Sequence, residues 1–159
     1  MDRESVLELY DRYAQEVYRL SLSFLGRRAD AEDMVQSVFL RLMEKRLGIG
    51  SGKEKAYLLT MTANLCRNQL KSAAVRLAAG YEEGREPAAE LYTEAESDVY
   101  QAMMKLPETY RVCLYLHYYE GYGYREIGKM LKLSSSAVPM RISRGREAMK
   151  QVLREEDWT

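Results

Sequence analysis

Residues 106–150 constrain the fold of this chain more than any other stretch. Two segments with apolar residues at helical spacing, 124–131 and 138–152, are separated only by Lys132, Leu133 and a triplet of serines. A gap this short admits only a tight turn between two helices. The sequence therefore predicts a helix-turn-helix.

Both helices of this motif have starting signals. Gly123 stands where the first should be capped, and the side-chain oxygens of residues 134–136 can accept hydrogen bonds from the N–H groups that open the second. In the second helix, a buried face is predicted by the 4, 3, 4 spacing of Val138, Ile142, Gly145 and Met149. The side chains expected on the opposite face are Met140, Ser143, Arg144 and Glu147.

The predicted second helix is also cationic. Between residues 134 and 150 a single acidic residue, Glu147, stands against four cations, Arg141, Arg144, Arg146 and Lys150. Guanidinium groups on such a helix can clamp DNA phosphates or bind a guanine edge in the major groove. The alternative is a basic face that is merely solvated.

The distribution of charge is uneven, although the net charge is zero. Residues 1–71 carry twelve Lys/Arg and ten Asp/Glu, residues 72–98 carry two and seven, and residues 99–159 carry ten and seven. Two mildly basic ends therefore flank an acidic middle. A chain of 159 residues can hold two small domains, and this pattern favours that division.

Targeting signals and reactive residues are scarce. The chain has no apolar run of about eighteen residues, and its start lacks the features of a signal peptide, so we expect a soluble, cytoplasmic protein without membrane insertion. Cys66 and Cys113 stand singly in helical patterns, which favours buried thiols over a disulfide or a metal site. We expect no metal and no cofactor.

Three helices are predicted in the N-terminal part. The first covers residues 5–25, ends at Gly26 and has its apolar face at Val6, Tyr10, Tyr13, Val17, Leu20 and Phe24. The second covers residues 31–46, with Asp30 as its N-cap and Asp33 in a capping-box position. Its apolar side is Val35, Val38, Phe39 and Leu42, and its polar side is Asp33, Gln36, Ser37, Arg41 and Glu44.

The third predicted helix, residues 53–71, follows a glycine-rich loop at residues 47–52. Its expected buried rows are Leu58, Met61 and Leu65, and Leu59, Ala63, Cys66 and Leu70. A polar stripe at 3, 4, 3, 4 spacing consists of Tyr57, Thr60, Asn64, Arg67, Asn68 and Lys71. An aromatic ring, amides and cations on one face can stack on, hydrogen-bond and clamp a single strand of nucleic acid, with a solvated face as the alternative.

The rest of the chain completes an all-α prediction. Residues 72–98 are expected to be a flexible acidic linker, in part helical, that joins domains at residues 1–71 and 99–159. Helical spacing resumes with Val99, Met103 and Leu106, and Pro107 opens a further helix whose core face is Val112, Leu116 and Tyr119. We predict two small helical domains, the C-terminal one a helix-turn-helix.

Several motifs together resemble a known family. They are DAEDMVQ followed by VFLRL, then AYLLTMTANLCRNQLK, then LPETYR, EGYGYREI and AVPMRISRGRE. In this order and spacing they are similar to the extracytoplasmic-function (ECF) class of bacterial RNA polymerase sigma factors. The resemblance covers both predicted domains and implies a protein that binds core RNA polymerase, directs it to promoters and helps to melt promoter DNA, without catalysing a reaction.

The resemblance also implies site residues. The positions that match the polymerase contact are Asp33, Gln36, Phe39 and Met43. The third helix with its preceding loop matches the part that recognises the minus-ten element and holds a flipped base. The residues that this match assigns to minus-ten binding are Tyr57, Thr60, Asn64, Arg67, Asn68 and Lys71. The helix-turn-helix matches the domain that recognises the minus-thirty-five element. The residues that this match assigns to DNA binding are Ser135, Ser136, Met140, Arg141, Ser143, Arg144 and Arg146. The implied partners are core RNA polymerase, promoter DNA and an anti-sigma factor, and the acidic linker matches the segment threaded through the RNA exit path.

Four positions depart from the family pattern. Ser37 replaces the usual Glu, Asn68 replaces the usual Asp, and Met140 replaces a small polar residue. Pro139 stands where Lys or Arg is expected, and a proline is tolerated in a helix only in its first turn. Either Ser135 or Ser136 caps the helix directly before it, or the start of the helix is distorted.

Two other functions compete with this interpretation. A stand-alone helix-turn-helix regulator would bind a palindromic operator as a dimer, without polymerase. An enzyme is disfavoured because the chain has no carboxylate cluster with metal spacing and His117 is its only histidine, expected to be structural. We therefore expect no catalytic residue.

Overall fold

The computed structural model describes residues 2–45, 48–80 and 98–157, and every element in those ranges is helical. The chain divides into two compact units, Met1–Arg85 and Glu86–Thr159. The all-α class is thereby confirmed. Most of the predicted linker lies outside the described residues.

Three helices build the first unit: α1 (Arg3–Leu25), α2 (Arg28–Glu44) and α3 (Glu54–Ala78). Helix α1 packs against both of the others, and α2 also packs against α3. The completely buried side chains of this core include Val17, Leu20, Val38, Leu42, Leu58 and Leu59. All of them come from the apolar faces that the sequence predicts.

The ends of α1 are fixed by local hydrogen bonds. Asp2 accepts a bond from the backbone N–H of Ser5 at 2.8 Å, which lowers the pKa of its carboxyl group. At the other end Gly26 adopts a left-handed conformation with φ of 72°, and its N–H donates to the carbonyl of Leu22 at 2.8 Å. The predicted end of this helix is confirmed, because glycine adopts positive φ without steric cost.

The predicted start of α2 is wrong. The helix begins at Arg28, after an extended Arg27 whose carbonyl accepts from the N–H of Ala31 at 2.9 Å. Asp30 therefore lies inside the first turn instead of capping it, where its carboxylate still suits the positive end of the helix. The helix ends at Glu44, and Arg46 lies outside the described residues.

The predicted end of α3 at Lys71 is also wrong, because the helix continues to Ala78. Residues 72–78 contain neither glycine nor proline and are rich in alanine, so nothing in them terminates a helix. The chain leaves helical conformation only near Gly80, where φ is 90°. The first part of the predicted linker is consequently helical.

The second unit contains α4 (Asp98–Met104), α5 (Glu108–Leu114), α6 (Tyr124–Leu131) and α7 (Ala137–Asp157). Helix α5 continues directly into a π-helical turn, Tyr115–Tyr119. The side chains completely enclosed in this core include Val112, Tyr115, Leu116, Ile127, Val138 and Ile142. Helix α7 packs against α4, α5 and α6.

Three residues predicted to face a core are exposed. Val99 is 52% exposed because Tyr100 takes the buried position on α4. Tyr119 is 43% exposed, since the π-helical turn holds an extra residue and rotates its own last residue off the face of Val112 and Leu116. Tyr10 is exposed beside the buried Leu9 and rests its ring against Phe39, with centroids 5.0 Å apart.

Both cysteines are buried and free, as predicted. Burial raises the pKa of Cys66 to about 12 and that of Cys113 to about 11. The thiols stay protonated near neutral pH and are poor nucleophiles. Among the described residues no helix is long and apolar enough to span a bilayer, and no group of His, Cys, Asp and Glu could hold a metal ion.

Candidate nucleic-acid interface

The tight turn between α6 and α7 forms where the sequence predicts it. Helix α6 has the predicted bounds, and at its start the N–H of Gly123 donates to the carboxylate of Glu126 at 3.3 Å. After the helix Lys132 is left-handed with φ of 56°, and the N–H of Leu133 donates to the carbonyl of Gly128 at 2.9 Å. This last bond satisfies a carbonyl group that the helix end leaves open and turns the chain toward α7.

Helix α7 is held close to α5 by Gly145. A Cβ atom at this position would lie 3.0 Å from Cδ1 of Leu114 and 3.3 Å from Cβ of Tyr110. The absence of a side chain therefore lets the two helices approach, with Val138 and Ile142 buried on the same face. The opposite face presents Met140, Ser143 and Arg144 to solvent, so the predicted orientation of α7 is confirmed.

Pro139 is the third residue of α7 and lies in its first turn. The N–H groups of a first turn have no partner within a helix, so proline there removes no hydrogen bond. The helix begins directly after Ser136, where the N–H of Ala137 donates to the carbonyl of Ser134 at 3.1 Å. The Ser134 and Ser136 hydroxyls lie 3.4 Å apart, and capping of α7 by a serine side chain stays a prediction.

The cations of α7 are held differently from one another. Arg146 donates from Nε to the hydroxyl of Tyr118 and places its guanidinium 5.3 Å from the centre of that ring. Arg141 is half-buried next to Cys113, whose pKa it lowers against the larger effect of burial. Arg144 is exposed on the same face as Met140. The cationic face is thus less uniform than spacing alone suggests.

His117 helps to shape the segment before α6. Its Nδ1 lies 2.9 Å from the carbonyl oxygen of Tyr122, and its ring contacts those of Tyr118 and Tyr124, with centroids 4.9 and 5.2 Å away. These contacts support the structural role expected for this histidine.

The polar stripe of α3 lies on one side of the helix. Tyr57, Thr60, Asn64 and Arg67 are half-buried, and Asn68 and Lys71 are exposed. Arg67 donates to Oδ1 of Asn64, which orients the amide so that its N–H groups point away from Arg67. Thr60 donates to the carbonyl of Ala56 at 2.8 Å and so has its hydroxyl proton engaged within the helix.

Sequence reasoning missed a cation next to this stripe. The ammonium of Lys45, from the end of α2, lies 3.8 Å from the centre of the Tyr57 ring. Spacing within one helix gives no sign of a partner that comes from another helix. The short glycine-rich loop at residues 47–52 is a hint that the end of α2 and the start of α3 lie close together.

The four residues of α2 that are predicted to contact polymerase differ in their exposure to solvent. Asp33 and Gln36 are exposed, and Met43 is 47% exposed. Phe39 is only 6% exposed and belongs to the core, where it supports Tyr10. Phe39 thus lies on the apolar side that the sequence predicts for α2, with Val35 and Val38, and its assignment to the polymerase contact stays a prediction.

Two family models match the chain: sigma-70 region 2 over residues 9–76 and sigma-70, region 4 over residues 97–149. The first covers α3 with its stripe and the second covers the helix-turn-helix. The chain belongs to the sigma-70 family of RNA polymerase sigma factors. Within that family it is an ECF sigma factor, as its motifs indicate.

Curated relatives agree with this assignment. The chain is 30% identical over 155 residues to the ECF RNA polymerase sigma factor SigE of Mycolicibacterium smegmatis, across 92% of this chain and 60% of that protein's length. It is 24% identical over 171 residues to the ECF RNA polymerase sigma factor SigW of Bacillus subtilis, across 97% of this chain and 91% of that protein.

A solved structure shows the same fold. The sigma factor RpoE of Bartonella quintana, crystallised in complex with the anti-sigma factor NepR, matches with a TM-score of 0.74. The match covers 95% of this chain and 98% of that one, at 19% sequence identity.

Proposed function

We propose that this sigma factor binds core RNA polymerase in the cytoplasm and recruits it to promoters through three separate surfaces, without catalysing a reaction. The observation that carries the proposal is the pairing of each family region with an exposed polar or cationic surface: α2 and the α3 stripe in region 2, and the outer face of α7 in region 4. Residues 1–71 and 99–159 then act as two binding domains joined by residues 72–98.

The polymerase contact is assigned to Asp33, Gln36 and Met43 on α2. The two polar side chains are exposed on a helix whose other side is tightly packed, so they serve no purpose within the core. A carboxylate and an amide beside an exposed methionine suit a protein partner that offers donors around an apolar centre. Phe39 supports this surface from beneath.

The minus-ten contact is assigned to the α3 stripe of Tyr57, Thr60, Asn64, Arg67, Asn68 and Lys71. A base that leaves the duplex loses a few kcal/mol of stacking, which an aromatic ring and amide hydrogen bonds can offset. The Asn64 amide is already oriented by Arg67, so its N–H groups lose little freedom when they meet an acceptor on the strand.

The minus-thirty-five contact is assigned to the start and outer face of α7. Ser135, Ser136 and Met140 lie at the end that would enter the major groove, with Ser143 and Arg144 further along the exposed face. Arg141 and Arg146 lie on its flanks, where they suit phosphates better than base edges. Met140 can contact a thymine methyl group.

An anti-sigma factor is a further proposed partner. The support is that the structural relative RpoE was solved with the anti-sigma factor NepR. We infer that such a partner would cover the polymerase-binding face of α2 and so keep the sigma factor inactive.

The test is run-off transcription with core polymerase, with and without this protein, on a library of promoter fragments. We expect a subset of fragments to be transcribed only when the protein is present. A stand-alone regulator gives the opposite pattern, with tight protection of a palindromic duplex by the protein alone and no new transcripts. That second pattern would refute the proposal.

A further inference from the structure

Lys45 stands at the end of α2, next to the polar stripe of α3. Its backbone N–H donates to the carbonyl of Leu42 at 3.1 Å, which fixes the start of its side chain at the helix terminus. The side chain is half-buried, and its ammonium lies 3.8 Å from the centre of the Tyr57 ring. Two helices that pack against each other thus place a cation on the one aromatic ring of the stripe.

This contact has the geometry of a cation–π interaction. An ammonium within about 6 Å of a ring centre is attracted by the negative face of the ring. The negative end of α2 favours a cation at the same place. Lys45 is therefore held in position before any ligand arrives.

The contact also changes the charge of the stripe. With Lys45 added, three cations lie along one side of the unit: Lys45 beside Tyr57, Arg67 beside Asn64, and Lys71 at the exposed end. Proteins bind single strands by pairing such a cationic track with aromatic rings on which bases stack. Lys45 and Tyr57 supply one cation and one ring at a single point.

We propose that Lys45 is a strand-binding residue of the minus-ten surface. Its ammonium contacts a backbone phosphate of the non-template strand and keeps the Tyr57 ring oriented for stacking on the adjacent base. The inference rests on the proposed function of the α3 stripe. A purely structural role, in which Lys45 only joins α2 to α3, is the outcome that the experiment must separate from it.

The experiment uses the full chain assembled with core polymerase, on a promoter selected by the run-off library. The DNA is a fork whose non-template strand is single across the minus-ten element, and its affinity is measured over a range of salt concentrations. Loss of one phosphate contact on a single strand makes the slope of log K against log salt shallower by about 0.7. We expect this change for Lys45→Gln and near-normal slopes for Lys45→Arg.

Arg28 provides the matched control. It is also a cation at a terminus of α2, but it lies at the opposite end of that helix, about 25 Å away at 1.5 Å per residue. There it donates to the Glu32 carboxylate at 3.2 Å. Arg28→Gln should leave the salt slope unchanged. A second variant, Tyr57→Leu, keeps the Lys45 charge but removes the ring that holds it, and should lower affinity for the fork.

The outcomes are distinguishable. An unchanged slope for Lys45→Gln, or an equal change for Arg28→Gln, overturns the role of Lys45. A partly unfolded variant does not blur this result, because a smaller active fraction shifts log K by a constant and leaves its slope intact. If the wild-type protein selects no promoter at all, the proposed function fails before Lys45 is tested.

Discussion

Helix α6 of the second unit and helices α2 and α3 of the first fix their ends by different means. In the second unit α6 is bounded by Gly123, whose N–H bonds to Glu126, and by the left-handed Lys132. In the first unit α2 and α3 begin after Arg27 and Lys53 without any side-chain cap. Backbone stereochemistry sets the boundaries of α6, whereas α2 and α3 begin without a side-chain cap, and α3 continues past its packed residues because nothing in residues 72–78 terminates a helix.

This difference explains what each unit tolerates. Where no local signal stops it, a helix extends as far as its residues allow, as α3 does to Ala78. Where backbone stereochemistry sets the end of a helix or the approach of two helices, single positions such as Gly145 and Lys132 determine the geometry of the motif. Substitutions in the two units should therefore fail for different physical reasons, and a cavity in the packed unit should cost the most.

The largest effect is expected from a cavity in the first unit. Leu58 is completely buried, and Leu58→Ala should lower the free energy of unfolding by about 3 kcal/mol, through lost burial and the cavity left behind. Urea denaturation monitored by circular dichroism measures it. Leu40, which is 61% exposed, is the control, and Leu40→Ala should cost less than about 0.5 kcal/mol. Equal losses would show that packing is not what holds this unit.

In the second unit the corresponding change is an added side chain. Gly145→Leu should destabilise by about 2 kcal/mol, because its Cβ meets Leu114 at 3.0 Å. Leucine has the higher helix propensity, so Ser143→Leu at an exposed position of the same helix should be neutral or better. Thermal melts of both variants decide the matter, and a stable Gly145→Leu protein would contradict the close approach of α5 and α7.

Variants of the proposed polymerase-binding surface test whether this exposed face of the first unit contributes to stability. Replacing Asp33 and Gln36 together by Ala should weaken binding to core polymerase by about 1.5 kcal/mol, as expected for lost hydrogen bonds that involve a charge. Helicity and the urea midpoint should not change. Arg41→Ala on the same helix is the control. A double variant that competes for core polymerase as well as the wild type would rule out this interface.

Replacing Lys132, the left-handed residue after α6, should increase stability instead of lowering it. Lys132 has φ of 56°, a conformation that costs a residue with a Cβ atom about 1 kcal/mol, so Lys132→Gly should raise the free energy of unfolding by about that amount. Lys129 is exposed inside α6, and Lys129→Gly should lower stability by a similar amount. If both variants shift in the same direction, the turn is not limited by stereochemistry.

The smallest effect on stability is expected at Pro139. Because it lies in the first turn of α7, Pro139→Lys should leave the melting temperature almost unchanged. On a minus-thirty-five duplex the added cation should steepen the salt dependence by about one unit of log K per log salt. An unchanged salt slope would mean that residue 139 does not face the phosphates, and the docking proposed for α7 would need rotation about its axis.

Sequence patterns predicted some helix ends more sharply than others, for the same physical reason. Both bounds of α6 and the end of α1 were predictable because glycine and short gaps act locally. The start of α2 was not, because Asp30 resembles a cap although the preceding turn at Gly26 lets the helix begin earlier. A local rule identifies a residue that can cap, and it does not determine whether an earlier start is better.

The candidate surfaces show a similar limit. The spacing of polar residues in the sequence correctly predicted the polar faces of α2, α3 and α7. It could not predict which side chains of different helices lie close together. The contact of Lys45 with Tyr57 and the contact of Arg146 with Tyr118 both join residues from different elements. Spacing placed Phe39 on the apolar side of α2 and motif matching placed it in the polymerase contact, and its burial agrees with the first of these assignments.

The π-helical turn at the end of α5 makes the length of that segment as important as its chemistry. The N–H of Glu120 donates to the carbonyl of Tyr115 five residues earlier, at 3.3 Å, and the Tyr115 hydroxyl donates to the Glu120 carboxylate at 2.8 Å. Each residue of an α-helix advances the chain by about 100° around its axis. Because this turn already holds one residue more than an α-helical turn, deleting one residue between Tyr115 and Tyr119 would make the Glu120-to-Tyr115 backbone bond an ordinary α-helical one, whereas inserting one would turn the rest of the chain by that angle. The segment should therefore tolerate deletion of the exposed Tyr118 better than any insertion.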